Sequence, residues 1–250
     1  MNRRDYLALT GTALTTAVAG CSGSGDGPPE EAEEPNEPAA GEEGSNTEAP
    51  EEETTDTDAE EQPEPEPTEE VDQPEAQSFS GSGAEVEQDV PIGGGLTVVE
   101  ATHTNGESNF QVSLVGGEFD DLFVNAIGEY DGETAALIDE GEYTLDVEAD
   151  GDWEVEIRQP RAASGDSLPQ SLEGDTPEVH GPFEFDGSHV ATGSHSGEAN
   201  FQVHVYPAEG SFGELVFNEV GQYDGETTFR HSGVGWVAVQ AGGDWSLELE

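Results

Sequence analysis

One stretch of the chain occurs twice, and this repeat limits what the chain can fold into. Residues 122–134 read LFVNAIGEYDGET and residues 215–227 read LVFNEVGQYDGET, with eight of the thirteen positions identical. The two copies lie 93 residues apart, and an internal period has to be identified before domains are counted. The last two thirds of the chain is therefore predicted to be one structural unit present in two copies.

Shorter matches flank this stretch and extend the repeat. The tetrapeptide NFQV occurs at 109–112 and at 200–203, and the tripeptide GDW at 151–153 and at 243–245. One histidine also recurs, as His103 and His195. The offsets differ by only one or two residues, so the insertions are small and belong in loops. We assign the first repeat to residues 78–159, a linker to 160–170 and the second repeat to 171–250.

Inside each copy the apolar residues alternate with polar ones, which predicts strands with one buried face. Tyr143, Leu145 and Val147 alternate with Thr144 and acidic residues. Gly, Asp and Asn clusters separate such runs at the 8 to 12-residue spacing typical of sandwiches. The predicted fold is all-β: two tandem antiparallel β-sandwich (jelly-roll-like) domains of seven or eight strands each.

Turn residues inside the repeated stretch predict one hairpin per copy. Asp131-Gly132 and Asp224-Gly225 are dipeptides that suit a tight hairpin turn, since Gly takes a positive φ readily and Asp tolerates one. Separate strands are expected on the C-terminal side of this turn, at 134–138 and 143–149.

The net charge of the chain limits the salt conditions in which it can fold and the partners it can bind. It has 58 acidic residues against 5 basic ones, a net charge of −53, and no lysine. A disordered acidic protein and a folded halophile protein both fit that composition, but strand patterning persists from Ser78 onward, where 35 acids meet three arginines. We favour the halophile and expect unfolding in dilute buffer and folding in molar salt. Nucleic acid is excluded as a partner, because no basic patch exists to neutralise phosphates.

The first residues have the pattern of an export signal. Arg3 and Arg4 precede a short apolar run over residues 6–19, and Ala-Val-Ala-Gly then leads into Cys21, the only cysteine. Residues 1–20 are predicted to be a twin-arginine signal peptide. The segment resembles the lipobox of prokaryotic lipoproteins, which implies lipid attachment at Cys21 and a position on the extracellular face of the cytoplasmic membrane. The alternative, a buried free cysteine, fits poorly beside Ser, Gly and Pro.

Residues 21–77 are predicted to be a disordered acidic tether. Residues 26–77 contain 22 acids, nine prolines and no basic residue. Such a segment buries too little apolar surface to offset the chain entropy lost on ordering. Like charges and proline extend it, so it would hold the domains away from the membrane.

A family resemblance adds an expectation about the two domains. The pattern over 141–157, Gly-x-Tyr-x-Leu-x-Val-x-Ala-x-Gly-x-Trp-x-Val-x-Ile, resembles small accessory β-sandwich modules of exported microbial proteins, the pre-peptidase C-terminal type being the nearest. In the second copy Gly235 replaces Tyr143. The resemblance implies binding or attachment rather than catalysis. With the signal segment, the whole chain resembles a haloarchaeal exported lipoprotein.

Hard oxygen ligands inside the repeated stretch form a candidate calcium site. Turn chemistry is the competing interpretation, because carboxylates cluster by chance in so acidic a chain, and no other cofactor is expected. The candidate ligands are Asn125, Asp131 and Glu133 in the first copy and Asn218, Asp224 and Glu226 in the second.

Three further side chains are candidates for ligand binding. His103 and His195 precede Gly-containing loops and are expected either to bind zinc or another ligand or to bond the backbone at a strand end. By alternation Trp236 faces away from Val237 and Val239. An exposed Trp would suit sugar stacking or a partner contact, and packing between the two copies is the alternative.

These features together predict a membrane-anchored surface lipoprotein that presents two binding or adhesion modules. The expected partners are the membrane, through the lipid on Cys21, and a cell-envelope glycan or protein. A structural envelope spacer is the first alternative and a surface hydrolase the second. Catalysis is not expected, since the chain lacks a nucleophile signature and a phosphate-binding loop.

Overall fold

The computed structural model describes residues 71–117 and 120–250, and these residues lie in one compact unit. The described residues form two sheets and no α-helix, so the predicted all-β class is confirmed. None of their segments is a helix long and apolar enough to cross a membrane. The predicted signal peptide and most of the predicted tether lie outside the described residues.

The first sheet has six strands and contains the first copy of the repeat. In chain order they are β1 (Gln77–Ser82), β2 (Glu85–Thr104), β3 (Asn109–Val115), β4 (Asp121–Ile127), β5 (Tyr130–Glu148) and β6 (Asp152–Arg158). Their order across the sheet is β1-β6-β2-β5-β3-β4, with all pairs antiparallel. We refer to these six strands as repeat 1.

The second sheet has seven strands and is called repeat 2. They are β7 (Asp166–Ser167), β8 (Gln170–Gly174), β9 (Glu178–His195), β10 (Asn200–Pro207), β11 (Glu214–Val220), β12 (Tyr223–Ala241) and β13 (Trp245–Leu249). The order is β11-β10-β12-β9-β13-β8, while the short β7 pairs parallel with β9. Without β7 the order matches repeat 1 strand for strand, so the duplicated sequence forms a duplicated topology.

Each sheet folds over on itself to enclose its own core. The first half of β2 pairs with the second half of β5, and the second half of β2 pairs with the first half of β5. Gly94 and Gly95 have positive φ where β2 bends, a conformation that glycine adopts without a steric penalty. One cluster of buried side chains then collects Val90 and Leu145 with Val99 and Ile157.

The long strands change two predictions about local structure. The strands expected at 134–138 and 143–149 are parts of the single strand β5, so repeat 1 has six strands rather than seven or eight. The predicted hairpin turn at Asp131-Gly132 is wrong, because both residues lie inside β5 and pair with β2. Gly128, with a φ of 83°, precedes β5, and its equivalent Gly221 has a φ of 86°.

The two repeats pack against each other through the outer faces of their sheets. Leu96, Val98 and Ala135 of repeat 1 form one buried apolar cluster with Trp236 and Ala238 of repeat 2. Full burial of a Leu or Val side chain, such as Leu96 or Val98, contributes roughly 1.5–3 kcal/mol. A backbone hydrogen bond of 2.7 Å from the Glu133 N–H to the Pro177 carbonyl continues the contact.

Candidate binding surfaces

His103 is a structural side chain at the end of β2. It is fully buried, and its Nδ1 lies 2.6 Å from the Gly128 carbonyl oxygen, which can only accept a hydrogen bond. Its Nε2 then accepts from the Gly151 N–H at 3.2 Å. The ring stacks on Phe110 with centroids 4.6 Å apart. Of the two roles expected for this histidine, the bond to the backbone is the one observed.

His195 repeats the Nδ1 contact and the ring stacking in the second sheet, while its Nε2 has no hydrogen-bond partner among the described residues. Its Nδ1 lies 2.8 Å from the Gly221 carbonyl oxygen, and its ring stacks on Phe201 at 5.4 Å. The ring is buried, so it presents no free edge to a ligand in solution. Both histidines therefore tie the end of a strand to the turn that precedes β5 or β12.

The six candidate calcium ligands do not converge. Asn125 lies on β4, which pairs with β3 alone, whereas Asp131 and Glu133 lie on the first half of β5, which pairs with β2 alone. The Asn125 Oδ1 accepts a hydrogen bond of 3.1 Å from Gln111. In residues 71–117 and 120–250, no group of three or more His, Cys, Asp or Glu side chains is placed to hold a metal ion.

The second trio of calcium candidates is separated in the same way. Asn218 lies on β11, and its Oδ1 accepts 2.8 Å from Gln202. Asp224 and Glu226 lie on the first half of β12, which pairs with β9 alone, and both are exposed.

Glu133 has a role that its counterpart Glu226 lacks. Its carboxylate is bonded by the Arg158 guanidinium and accepts the Val179 N–H at 3.2 Å. It therefore links β6 of repeat 1 to β9 of repeat 2. Glu226 is exposed and has neither contact. One position of the repeated stretch thus holds the two sheets together in one copy and faces solvent in the other.

The predicted exposure of Trp236 is wrong. The alternation correctly turned its side chain away from the core of repeat 2, but repeat 1 covers that outer face, and only 4% of the residue is exposed. An indole buries a large apolar area, which makes it an efficient anchor between two sheets. Of the two alternatives for this residue, packing between the copies is the one observed.

A cleft of about 720 Å³ lies between Tyr130 of repeat 1 and the segment around Pro177 of repeat 2. Two predicted site residues, His103 and Asp131, also line it. Burial, and then the charge of Asp131, raises the pKa of Tyr130 to about 12. A tyrosine phenol is protonated at physiological pH even at its ordinary pKa, so it can donate a hydrogen bond here with or without this shift.

Strands β4 and β11 carry exposed apolar side chains at equivalent positions. Ile127 is 79% exposed and Val220 77%, while Leu122 is 56% exposed and Leu215 48%. Four of the seven large apolar side chains exposed in the described part of the chain are these, and Phe212 lies two residues before β11. Single exposed apolar residues are normal on a protein surface, so the feature that sets these apart is their occurrence at equivalent positions in both repeats.

An amide pair accompanies the apolar side chains in both repeats. Gln111 donates to Asn125 across β3 and β4, and Gln202 donates to Asn218 across β10 and β11. All four residues are retained between copies that differ at most exposed positions. We call these surfaces strip 1 (Gln111, Leu122, Asn125 and Ile127) and strip 2 (Gln202, Leu215, Asn218 and Val220).

Comparison with known proteins adds no assignment to these surfaces. No protein-family model matches the chain, and no curated protein matches it. The functional argument therefore rests on the geometry and on the identities shared by the two repeats.

Proposed function

We propose that this chain is a lipid-anchored cell-surface protein that binds a cell-envelope partner through two equivalent strips. Three sequence features support delivery to the extracellular face of the membrane: the predicted export signal with Arg3 and Arg4, the predicted lipid site at Cys21, and the acidic tether. The two fused β-sandwiches would be the part held away from it. The acid excess favours a halophilic organism.

The repetition of the strip is the observation that carries the binding role. Phe110 and Phe201 are identical because both fill a core, and that explanation serves for every buried identity. It does not serve for Leu122 and Leu215 or Asn125 and Asn218, which are exposed. A shared external partner explains why both copies keep them, and two linked sites would bind with avidity.

A structural spacer is the second candidate, and the apolar contact between the repeats favours it. Trp236 joins the sheets into one body, which would suit a rigid stalk. A spacer needs no particular residues on its strips, whereas a binding protein does. The two functions therefore differ in how the strips respond to substitution.

The test is binding of the full chain to isolated envelopes from cells that display it, in molar salt. Leu122→Glu with Leu215→Glu puts one carboxylate into each strip. Ser188→Glu with Thr228→Glu adds the same charge at exposed positions outside the strips. The proposal expects at least a tenfold loss of binding in the first pair and none in the second. Equal binding by all three proteins would leave the spacer as the better account.

A further inference from the structure

We propose that the partner of each strip is the same strip on a second copy of this chain, an inference that rests on the binding role proposed above. The two copies would join edge to edge, with β4 antiparallel to β4 and β11 antiparallel to β11. The argument has three parts: free strand edges, a self-complementary register, and the local lack of charge.

Three of the four residues of each strip lie on the strand that ends its sheet, β4 or β11. In the described part of the chain β4 is hydrogen-bonded to β3 alone, and β11 to β10 alone. The other side of each strand carries backbone N–H and C=O groups that a further strand can pair with. Strand addition at such an edge is a recurring mode of protein recognition, with backbone bonds giving affinity and alternate side chains giving specificity.

The register of each strip matches an inverted copy of itself. A bulge makes Phe123 an extra residue, since Val112 pairs with Val124 and Ser113 with Leu122. An antiparallel copy centred on Asn125 then places Leu122 opposite Ile127 and Asn125 opposite itself. Apolar side chains therefore meet each other on both sides of a central amide pair.

Strip 2 has the same arrangement. Its bulge makes Val216 the extra residue, so pairing centred on Asn218 opposes Leu215 with Val220. A two-fold contact of this kind requires one surface to be its own complement. Both strips meet that requirement with the same spacing, although β4 and β11 differ at Phe123, Val124 and Ala126.

The charge distribution also favours a copy of the chain over a basic partner. The strips are uncharged at all eight positions in a chain of net charge −53. A cationic partner would be matched by acidic strips. Two strongly acidic molecules approach with least repulsion where both are neutral, and molar salt screens the remaining charge within a few ångströms.

A second free edge in repeat 2, along the first half of β12, shows what an edge not used for pairing looks like. The first half of β12, which pairs with β9 alone, exposes Asp224, Glu226 and Arg230. Charged side chains on an edge are a common protection against unwanted strand addition. β4 bears a single charge, Asp121 at its first residue, so its centre lacks this protection. β11 bears two charges, Glu214 at its first residue and Glu219 next to Asn218, so the charge argument is stronger for strip 1 than for strip 2.

Two strips per chain allow more than a dimer. Pairing through β4 on one side and β11 on the other would link each anchored chain to two neighbours and form rows on the membrane. Anchoring in two dimensions raises the effective concentration of the strips, which compensates for the small area of each contact.

A single engineered cysteine tests the register. The full chain with Cys21→Ser has no other thiol, and Asn125→Cys then places one thiol where two copies would meet on the two-fold axis. Directly opposed residues have Cα atoms about 4.5–5.5 Å apart, within the range of a disulfide. Under mild oxidation with copper-phenanthroline in molar salt we expect at least tenfold more disulfide-linked dimer than for Thr228→Cys, an exposed position outside the strips. Equal or absent cross-linking in the two variants would overturn the proposal.

Sedimentation of the unmodified chain provides a second readout that needs no cysteine. We expect oligomers in molar salt that Ile127→Lys with Val220→Lys converts to monomers. A chain that sediments as a monomer, or whose oligomers persist in the lysine variant, contradicts the proposal.

Envelopes from cells lacking the chain separate this inference from the function on which it rests. Binding only to envelopes that carry the chain supports both. Strip-dependent binding to both kinds of envelope overturns the self-pairing and keeps the binding function. Strip-independent binding overturns both.

Discussion

Repeats 1 and 2 share a frame and differ on their outer faces. Both have the same strand order, a histidine bonded to the same turn and a buried Trp opening the last strand. Trp236 and Ala238 of repeat 2 correspond to Thr144 and Asp146 of repeat 1. The apolar partners Leu96, Ala135 and Leu137 of repeat 1 correspond to Ser188, Thr228 and Arg230.

This difference shows how a duplicated domain can form one contact and then stop. In each repeat the residues that contact the other repeat are apolar. The positions equivalent to the other repeat's contact residues are polar or charged. A third repeat would find no apolar surface to continue the stack. Differences between the copies therefore mark the internal interface, and the identities at exposed Leu122 and Leu215 and at exposed Asn125 and Asn218 are those that the proposed strips use.

Trp236→Ala should have the largest effect, because it empties the contact between the repeats. Large-to-small changes at buried aromatic positions cost about 3–5 kcal/mol. Thr144→Ala, the equivalent change in repeat 1, removes a partly exposed side chain and should cost less than about 0.5 kcal/mol. Urea unfolding in molar salt measures both. Similar losses at the two positions would contradict the interface described above.

Glu133→Gln against Glu226→Gln tests the second difference. Glu133 bonds Arg158 and the Val179 N–H, and loss of a hydrogen-bonded charge that is partly open to solvent should cost about 1–2 kcal/mol. Glu226 is exposed, so its substitution should leave the free energy of unfolding unchanged. The same unfolding experiment checks the pair, and an equal response of both variants would count against the assigned link.

Thr192→Glu should make repeat 2 more dependent on salt. In repeat 1, Glu100 lies between Glu156 and Glu133 across adjacent strands, with Arg158 beside all three. In repeat 2, Thr192 separates Glu248 from Glu226, and Glu250 stands where repeat 1 has Arg158.

Like charges directly opposite each other destabilise a sheet by about 0.2–1 kcal/mol. We expect that loss for Thr192→Glu at the lowest salt in which the chain is folded, and none in molar salt. Ser211→Glu, at an exposed loop position outside both sheets, is the control for added charge away from the carboxylate row. A loss that persists in molar salt would show a packing defect instead.

The smallest expected effect is a dependence of repeat 2 on pH. Burial lowers the pKa of His204 and of His231, and repeat 1 has neither histidine. An unfolded histidine titrates near pH 6.5, so below that pH the unfolded chain takes up protons before the folded one. Stability present above pH 6.5 should fall as the pH drops toward the lowered pKa values. Urea unfolding midpoints at pH 7.5 and 5.5 measure this loss of stability. The double variant His204→Gln with His231→Gln should show a smaller difference between the two midpoints. An undiminished difference would assign the pH dependence to other groups.

Local sequence patterns predicted the strands but not the way that the sheets fold. Alternation through Tyr143, Leu145 and Val147 identifies a buried face, and the repeat identifies two copies. The Asp131-Gly132 turn was wrong because a local turn preference lost to sixteen residue pairs between β2 and β5. The bend at Gly94 and Gly95 depends on that pairing, which no short window contains.

The surface could be predicted only in part, for a similar reason. Alternation placed Trp236 on the correct face, but its cover comes from Leu96 and Ala135, which lie 140 and 101 residues earlier. The available signal was the apolar run at 135–138 and the largely apolar run at 96–99, which Thr97 interrupts, because a strand with one face in solvent would alternate. The strips had a signal too, in the exposed identities at Asn125 and Asn218, although their pairing with Gln111 and Gln202 required the register.

The most direct test of the central claim compares the two strips one at a time. Leu122→Glu and Leu215→Glu are made singly and together, and binding of each full chain to envelopes that carry the protein is measured in molar salt. Equivalent strips acting with avidity predict that both single variants lose affinity to a similar extent, at least tenfold, and that the double variant loses it entirely. Loss in one single variant alone, or in neither, would contradict the claim that the chain presents two equivalent binding surfaces.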